Sequence, residues 1–245
     1  MANGQPHPGG LVSETGSARI PGPESLVGKH VTLERLTRAH FPDLYEHAGS
    51  HEDVWTWWPS GPFGTASDFV RMFDSMAEID NLTTYAILPH SGPSKGKAVG
   101  CAFIQWSKPL TNRVGEIGVF FGPALQKTRA ATEVIFLISC LLFDKLNYRR
   151  MAWKTNSLNV VSRKAAGRWG LVYEGTFRQD QIVKGRNRDT CFYSMIDFEW
   201  PMCKRVFEEW LDDENFDEHQ RQRRKMDQIR DNLRHQFLAT SAETP

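Results

Sequence analysis

The chain has 245 residues, of which 40% are hydrophobic and 24% are charged, and its formal net charge is +1. This length allows one large domain or a medium-sized domain with tails. A net charge so close to zero gives no overall field that would attract nucleic acid or anionic lipid, so we expect neither partner. The basic runs Lys184–Arg188 and Arg221–Lys225 have acidic neighbours and are typical of solvated surfaces.

The lack of a recognisable targeting signal and the spacing of the cysteines narrow the class of protein further. The N-terminus has no apolar stretch typical of a secretory signal, and the longest apolar run, Val134–Phe143, is far shorter than a membrane span. The chain contains four cysteines that form no CxxC pair and have no zinc-ligand spacing: Cys101, Cys140, Cys191 and Cys203. We therefore expect buried, reduced thiols, no metal and a cytoplasmic location.

Composition divides the chain into three parts. Residues 1–24 are rich in Gly, Pro and Ser and predict a disordered tail, because they bury too little apolar surface to offset their ordering entropy. Residues 25–200 predict a single folded domain. Residues 201–245 are rich in Glu, Asp, Arg and Gln with apolar residues at helical spacing, which predicts a helical extension. This extension could pack on the domain or on a partner helix in a homodimer, and the sequence leaves both open.

Apolar periodicity predicts the elements of the central domain in chain order. The predicted strands cover 30–36, 83–88, 98–106, 114–121, 151–155, 171–177 and 190–196, and the predicted helices cover 39–49, 67–79, 132–146 and 159–169. The helix over 132–146 is apolar nearly all round and should be central and buried. Because helices flank a strand-rich centre, the expected class is α/β or α+β.

One strand–turn–helix unit has the form of an anion site. Strand 114–121 leads through a turn of small residues directly into the buried helix. The first N–H groups of a helix lack intrahelical acceptors and the helix dipole favours negative charge there. Ala130 and Ala131 would let a ligand approach the backbone closely. An ordinary strand–helix connection explains the same residues, so this unit alone does not decide the function.

Taken in order, several segments of the chain resemble GNAT N-acetyltransferases. These segments are the strand Arg113–Phe121, the turn Gln126–Ala131, Asn159–Ser162, and Gly170–Gly175. The Glu174–Gly175 ending, Phe177–Arg178, the Gly185–Arg186 turn with Asp189, and Ser194–Ile196 resemble the RimJ/RimL-type branch. The resemblance covers Leu26 to Trp200.

The resemblance implies a fold and a cofactor. The expected fold is a central mixed, mostly antiparallel, splayed sheet flanked by helices, and the expected co-substrate is acetyl-CoA, with no metal. The family's pyrophosphate turn, Q/R-x-x-G-x-G/A, maps onto Gln126, Arg129 and Ala131, with arginine at the middle glycine. Arg129 is interpreted as adopting a regular conformation and pairing with a phosphate. Cofactor contacts are implied for Val119, Phe121, Gln126, Thr128, Arg129, Ala130, Ala131, Thr132, Asn159 and Ser162.

The resemblance also implies two catalytic residues. Glu116, in the middle of strand 114–121, is the predicted base that removes a proton from the amine. The family's usual tyrosine acid falls on Ala166, so Ser162 is the predicted donor to the leaving thiolate, with Tyr193 a weaker alternative. Glu116 could instead form an ion pair with an arginine at a sheet edge. Ser162 could instead be only a packing residue or a CoA contact.

Aromatic residues are the candidates for the acceptor site. Substrate contacts are predicted for Trp55, Trp57, Trp58, Phe63, Trp153, Phe177 and Tyr193. The alternative for the tryptophans of the loop is that they plug the edge of the core. The predicted reaction is acetyl transfer to a primary amine, of a small molecule in the first instance. Two alternatives stay open: a protein N-terminus of the ribosomal-protein type, and a non-catalytic protein that binds acyl-CoA.

Overall fold

The computed structural model describes residue 10, residue 12 and residues 16–242. Within these residues the chain forms eight strands and six α-helices. The strands are β1 (Leu26–Val27), β2 (Val31–Arg35), β3 (Leu82–Pro89), β4 (Gly100–Trp106), β5 (Val114–Phe121), β6 (Arg150–Asn156), β7 (Val172–Val183) and β8 (Arg186–Ile196). The helices are α1 (Phe41–Leu44), α2 (Ala66–Ala77), α3 (Arg129–Ser139), α4 (Val160–Arg168), α5 (Trp200–Leu211) and α6 (Met226–Ala242).

All eight strands belong to one sheet, in the order β1-β2-β3-β4-β5-β6-β8-β7. Neighbouring strands are antiparallel except β5 and β6, which are parallel. Pairing of β5 with β6 ends at Ile117 opposite Trp153, whereas pairing of β5 with β4 continues to Phe121 opposite Gly100. The sheet therefore splays after Ile117, and the last four residues of β5 turn one backbone edge away from β6. The predicted mixed, splayed sheet with flanking helices is confirmed.

Side chains alternate between the two faces of β5 and join two separate cores. Ile117 packs in the larger core, together with Val134, Ile135 and Ile138 of α3. Phe120 packs in a smaller core with Trp55 and residues of α1 and α2. Full burial of one such side chain stabilises the fold by roughly 1.5–3 kcal/mol, so both faces of β5 are firmly held.

Helix α3 is joined to the N-terminal strands by a buried carboxylate. Glu133 accepts backbone hydrogen bonds from Lys29 (2.8 Å) and His30 (2.7 Å) in the turn between β1 and β2. These charge-assisted bonds satisfy a carboxylate that would otherwise be costly to bury. They also hold the N-terminal half of α3 against the turn between β1 and β2.

The predicted elements are confirmed with shifts of a few residues, apart from one hairpin. Strands β7 and β8 extend to Val183 and start at Arg186, where the sequence predicted a connection. The turn residues Lys184 and Gly185 have φ values of 51° and 71°, as a two-residue hairpin turn requires. Apart from Ile182 and Val183, the added strand residues are polar, and most are exposed, so they lack the apolar alternation that reveals a strand.

The predicted N-terminal tail lies mostly outside the described residues. In its described part, the buried Ala18 donates its N–H to the Leu110 carbonyl (3.1 Å), and Arg19 donates its N–H to the Leu146 carbonyl (2.9 Å). These residues are therefore docked on the domain rather than free. The boundaries at residues 25 and 200 stay predictions.

The C-terminal helices pack on the domain rather than extending away from it. Phe207 of α5 lies 5.6 Å from Phe136 of α3, measured between ring centroids, and Trp200 stacks on Phe143. Ile229 and Leu233 of α6 are buried. Of the two arrangements left open, the structure shows packing on the domain, and a homodimer stays a prediction.

Two further features of the sequence have structural counterparts. In the part of the chain that the structure describes, no helix is both long enough and apolar enough to cross a bilayer. The four cysteines carry free thiols, and all but the half-buried Cys140 are buried. Burial raises the pKa of Cys140 to about 12, so its reactive thiolate is scarce at neutral pH.

Candidate functional site

A large cavity opens where β5 separates from β6. Its volume is about 1210 Å³, which exceeds the usual size of a pocket for a drug-sized ligand and suits a long cofactor. The end of β5, the start of α3, the helix α4, the loop after α1 and the C-terminal segment form its walls. All ten residues with an implied cofactor role line this one cavity: Val119, Phe121, Gln126, Thr128, Arg129, Ala130, Ala131, Thr132, Asn159 and Ser162.

The turn before α3 is ordered by its own side chains. Gln126 donates from Nε2 to the Phe121 carbonyl (3.1 Å), and Thr128 caps the helix by accepting the N–H of Ala131 (3.1 Å). At the start of a helix the N–H groups of Arg129 and Ala130 have no intrahelical acceptor. These two donors and the helix dipole make the turn a fitting cradle for a diphosphate.

The Arg129 side chain bonds to the C-terminal segment, and its predicted contact with a phosphate stays a prediction. Its Nη2 donates to the Leu211 carbonyl (2.8 Å) and to Asp213 Oδ1 (2.8 Å), and its Nη1 donates to Gln220 Oε1 (3.3 Å). The guanidinium carbon lies 3.9 Å from the centroid of the Phe216 ring. Arg129 has the regular helical conformation that was predicted for it, and its guanidinium binds the C-terminal segment.

Ser162 has an ordered hydroxyl. The indole Nε1 of Trp153 donates to Ser162 Oγ (3.1 Å), and Asn159 Oδ1 accepts the Ser162 N–H (3.0 Å) as the cap of α4. Because an indole N–H can only donate, the serine oxygen accepts and its own proton stays free to donate. Trp153 lines the cavity but is buried, so it is placed to orient Ser162 at least as much as to contact an acceptor.

Glu116 lies on the face of β5 opposite Ile117 and forms an ion pair. Lys154 Nζ of β6 lies 2.6 Å from Glu116 Oε2, and both side chains are about one-third exposed. The partner is a lysine rather than the arginine considered from sequence. Glu116 is not among the residues that line the large cavity, and it precedes the splay by two residues.

The tryptophans of the loop after α1 divide into two roles. Trp55 is 0% exposed, donates its indole N–H to the carbonyls of Ala48 and Gly49, and packs on Phe63 with a centroid separation of 4.8 Å. Trp55 is therefore a core residue and the partly buried Phe63 packs against it. Neither lines the cavity, and the substrate contacts predicted for them stay predictions. Trp57 and Trp58 line the cavity as predicted.

Phe177 and Tyr193, both predicted to contact substrate, lie away from the described walls of the cavity. Phe177 is exposed on β7 and packs on Phe192, with 4.2 Å between ring centroids. Tyr193 is buried on β8, and its hydroxyl accepts a hydrogen bond from Arg163 Nε (3.4 Å). The β7–β8 hairpin that carries them instead contacts the loop after α1, which contains the three tryptophans and which we call the aromatic loop. The contact is made by Lys184, which donates to the Trp55 carbonyl (2.8 Å). Burial lowers the pKa of Lys184.

Some cavity residues were not predicted from sequence. From the C-terminal part these are Trp210, Phe216, Gln220, Arg221, Gln222, Lys225, Met226 and Asp227, and from elsewhere they include His30, Asp53, Lys164 and Arg168. The only signal in the sequence was Arg129 at a position that the family fills with glycine. That departure marks the residue that attaches the C-terminal segment.

One cluster of potential metal ligands occurs among the described residues. The ligand atoms of Asp43, Glu46 and His47 lie within 4.8 Å of one another. Asp43 already pairs with Lys97 at 3.1 Å, and such partly exposed acidic groups are common without an ion. The cluster assigns no metal, and the expected absence of one stays a prediction.

Comparison with known proteins identifies the family. Residues 30–172 match the model described as an acetyltransferase (GNAT) domain, which is more than half of the chain. The chain therefore belongs to the GNAT acetyltransferase family, and the protein is an acyltransferase. A search of curated proteins finds no match to the sequence.

Solved structures agree with this assignment. A GCN5-related N-acetyltransferase from Brucella melitensis is 35% identical with a TM-score of 0.83, and the alignment covers 90% of this chain and 100% of that one. A probable acetyltransferase of the GNAT family from Chromobacterium violaceum is 32% identical with a TM-score of 0.72, covering 82% and 98%. Spermidine N-acetyltransferase from Vibrio cholerae, solved with CoA and spermine, is 14% identical with a TM-score of 0.58 over 71% and 99%, and shares the fold alone.

Proposed function

We propose that this protein transfers an acetyl group from acetyl-CoA to the primary amine of a small molecule. The observation that carries the proposal is the single cavity that gathers all ten implied cofactor residues around the splayed end of β5 and the first turn of α3. The proposal includes the RimJ/RimL-like branch and a cytoplasmic location, both argued from the sequence. Acetyl-CoA is proposed as the co-substrate because the family uses it, and its thioester provides an activated acetyl group.

Residues at the two ends of the cavity would bind different parts of acetyl-CoA. At one end the free N–H groups of Arg129 and Ala130 would hold the diphosphate. Along the splay, the backbone of Val119 would bind the pantetheine arm as an added strand would. At the other end Ser162, with its proton free to donate, would stabilise the departing thiolate.

Glu116 is the proposed base. An amine is a nucleophile only when neutral, so a protonated acceptor must lose a proton to a carboxylate directly or through water. The Glu116 carboxylate lies 2.6 Å from Lys154 Nζ and is about one-third exposed, so water can reach it. The position of Glu116 on the opposite face from Ile117 would bring the acceptor to the splay from the side of α1 and α2.

Small amines are favoured as acceptors by the wall on that side. Trp57 and Trp58 line the cavity together with the exposed carboxylate of Asp53, a combination that suits a cationic amine. The β7–β8 hairpin meets the aromatic loop through Lys184 and restricts the room for a bulky partner. A protein N-terminus and a non-catalytic acyl-CoA-binding role are the competing outcomes of the test.

The experiment measures CoA binding by titration calorimetry and thiol release with a panel of small amines and N-terminal peptides. We expect binding, and release with a small amine. Glu116→Gln should lower kcat/KM by about 100-fold or more while leaving the Kd for CoA unchanged, as loss of a general base predicts. Glu174→Gln is the matched control, because Glu174 also pairs with a cation (Arg150, 2.6 Å) but lies on β7, three strands away from β5 in the sheet.

Each other outcome has a definite meaning. Absence of binding by CoA and acetyl-CoA at millimolar concentration would overturn the proposal. Binding without release on any amine would favour the non-catalytic role, and release on peptides alone would favour a protein N-terminus. Unchanged turnover in Glu116→Gln would remove Glu116 as the base.

A further inference from the structure

The segment between α5 and α6, residues 211–227, forms one side of the large cavity; we refer to it as the strap. It contains a short 3-10 helix, Asp213–Asn215, and a β-bridge between Phe216 and Gln222. Seven of its residues line the cavity: Phe216, Gln220, Arg221, Gln222, Lys225, Met226 and Asp227.

The strap is attached to both helices that border the cavity. On the α3 side, Arg129 bonds to Leu211, Asp213 and Gln220 and lies on the ring of Phe216. On the α4 side, Arg168 Nη1 approaches Met226 Sδ (3.4 Å), while its Nη2 donates to Thr132 Oγ1 of α3 (2.7 Å). The strap therefore spans the cavity from the first turn of α3 to the last turn of α4.

The strap also has its own internal structure. The buried side chain of Asn215 donates to the carbonyls of Trp210 (3.1 Å) and Arg224 (3.2 Å) and accepts the Arg224 N–H (2.9 Å). Trp210 Nε1 donates to Gln222 Oε1 (2.9 Å). A loop with its polar groups satisfied in this way is a built wall and not a loose end.

The charged side chains of this region favour an anion. Arg221 and Lys225 of the strap line the cavity, as do Lys127 before α3 and Lys164 of α4. The nearby carboxylates are already partnered, since Asp227 pairs with Arg230 (2.7 Å) and Asp217 pairs with Nε of Arg221 (2.8 Å). The terminal Nη groups of Arg221 are therefore the donors that would reach an anion. The adjacent Arg223 and Arg224 do not line the cavity, so the cations of the strap divide into a pair that lines the cavity and a pair that does not.

We propose that the strap is a binding wall for the nucleotide end of CoA, in which Lys225 and Arg221 contact the phosphate monoester on the ribose. CoA carries that dianion in addition to its diphosphate, and the free N–H groups at the start of α3 account only for the diphosphate. Lysine and arginine are the residues that bind phosphate through charge-assisted hydrogen bonds. The guanidinium of Arg129 has a positioning role, because it bonds to Leu211, Asp213 and Gln220 of the strap. The inference rests on the proposed function.

The test compares two double variants of the full chain that remove the same charge. Titration calorimetry measures the Kd of CoA and of 3′-dephospho-CoA for the wild type, for Arg221→Gln/Lys225→Gln and for the control Arg223→Gln/Arg224→Gln. We expect the cavity pair to raise the Kd for CoA about tenfold or more, as the loss of hydrogen bonds to a charged group predicts. Its Kd for 3′-dephospho-CoA should change less than about threefold, and the control should stay within about twofold for both ligands.

Three results would overturn the phosphate contact. These are an unchanged Kd for CoA in the cavity pair, an equal loss on both ligands, and an equal loss in the control. A wild type that binds neither ligand would instead contradict the proposed function, so the two failures are distinguishable.

The positioning role of Arg129 has its own measurement. Arg129→Ala should raise the Kd for CoA and the KM for acetyl-CoA together by about tenfold, with the loss in KM rather than in kcat. Hydrogen exchange of residues 211–227 should rise, and Arg129→Lys should restore part of both. Faster exchange of the strap with an unchanged Kd would show that the strap is not a cofactor wall.

Discussion

The two side walls of the cavity are held by opposite kinds of interaction. The aromatic wall, Trp57 and Trp58, rests on Trp55, which packs among Phe63, Phe69 and Phe120. The strap rests on the guanidinium of Arg129, which bonds to carbonyl, carboxylate and amide oxygens. Nonpolar burial ties the first wall to the stability of the whole fold. The second wall also buries Phe216 and Met226 but depends on polar attachment, so we expect it to open locally at a lower free-energy cost.

The largest effect should come from removing the support of the aromatic wall. Trp55→Ala should lower the free energy of unfolding by about 3–5 kcal/mol, because it leaves a large cavity and removes the indole hydrogen bonds to the Ala48 and Gly49 carbonyls. Urea denaturation followed by circular dichroism measures this loss. Trp57→Ala, at a residue that is 37% exposed, is the control and should cost under about 1 kcal/mol. Similar losses in both variants would break the distinction between wall and support.

A smaller effect is expected in the strap. Phe216 lies beneath the Arg129 guanidinium and meets the edge of Trp210, with 5.2 Å between ring centroids. Phe216→Ala should lower the free energy of local opening of residues 211–227 by about 1–2 kcal/mol, through loss of the cation–π contact and of packing. Hydrogen exchange by mass spectrometry separates this opening from global unfolding. Equal destabilisation of α2 and the strap would show that the walls do not open independently.

The smallest expected effect is a pH dependence of local stability, which should be larger in the strap than in the aromatic wall. Hydrogen bonds from Lys29 and then Arg129 lower the pKa of Asp213 to about 2, against an ordinary value near 3.8. Because the folded pKa is the lower one, this contribution is complete above about pH 4 and is lost as the pH falls towards 2.

Hydrogen exchange normalised to unstructured peptide at each pH is the measurement for this prediction. The strap should lose protection between pH 4 and 2 more than the aromatic wall does. In Asp213→Asn the strap should show reduced protection at neutral pH and little further change on acidification. An acid response of equal size in the variant would assign the titration to other groups.

Local signals explain what the sequence could predict. The bounds of β5 follow from its apolar composition, and Thr128 and Asn159 are capping residues within three positions of the groups they satisfy. The ten residues with an implied cofactor role come from one strand–turn–helix unit and from the start of α4. Their placement together therefore depends on short segments with recognisable chemistry.

Long-range partners explain what the sequence could not predict. Trp55, Trp57 and Trp58 are the same residue type in one short segment, and only the packing of Phe69 and Phe120 decides which is buried. Arg129 departs from the family pattern, but its partners Leu211 and Gln220 lie 82 and 91 positions further along the chain. No local periodicity reports a contact of that separation.

The place of the strap near the end of the chain has a consequence for biosynthesis. Chains emerge from the ribosome N-terminus first, so the unit from Val114 to Ala131 is complete while the strap is still unmade. A product that stops between residues 131 and 211 contains every residue of that unit and lacks the wall opposite it. Faithful completion of translation would thus be a condition for full affinity, and a terminated fragment would compete poorly for the cellular supply of cofactor.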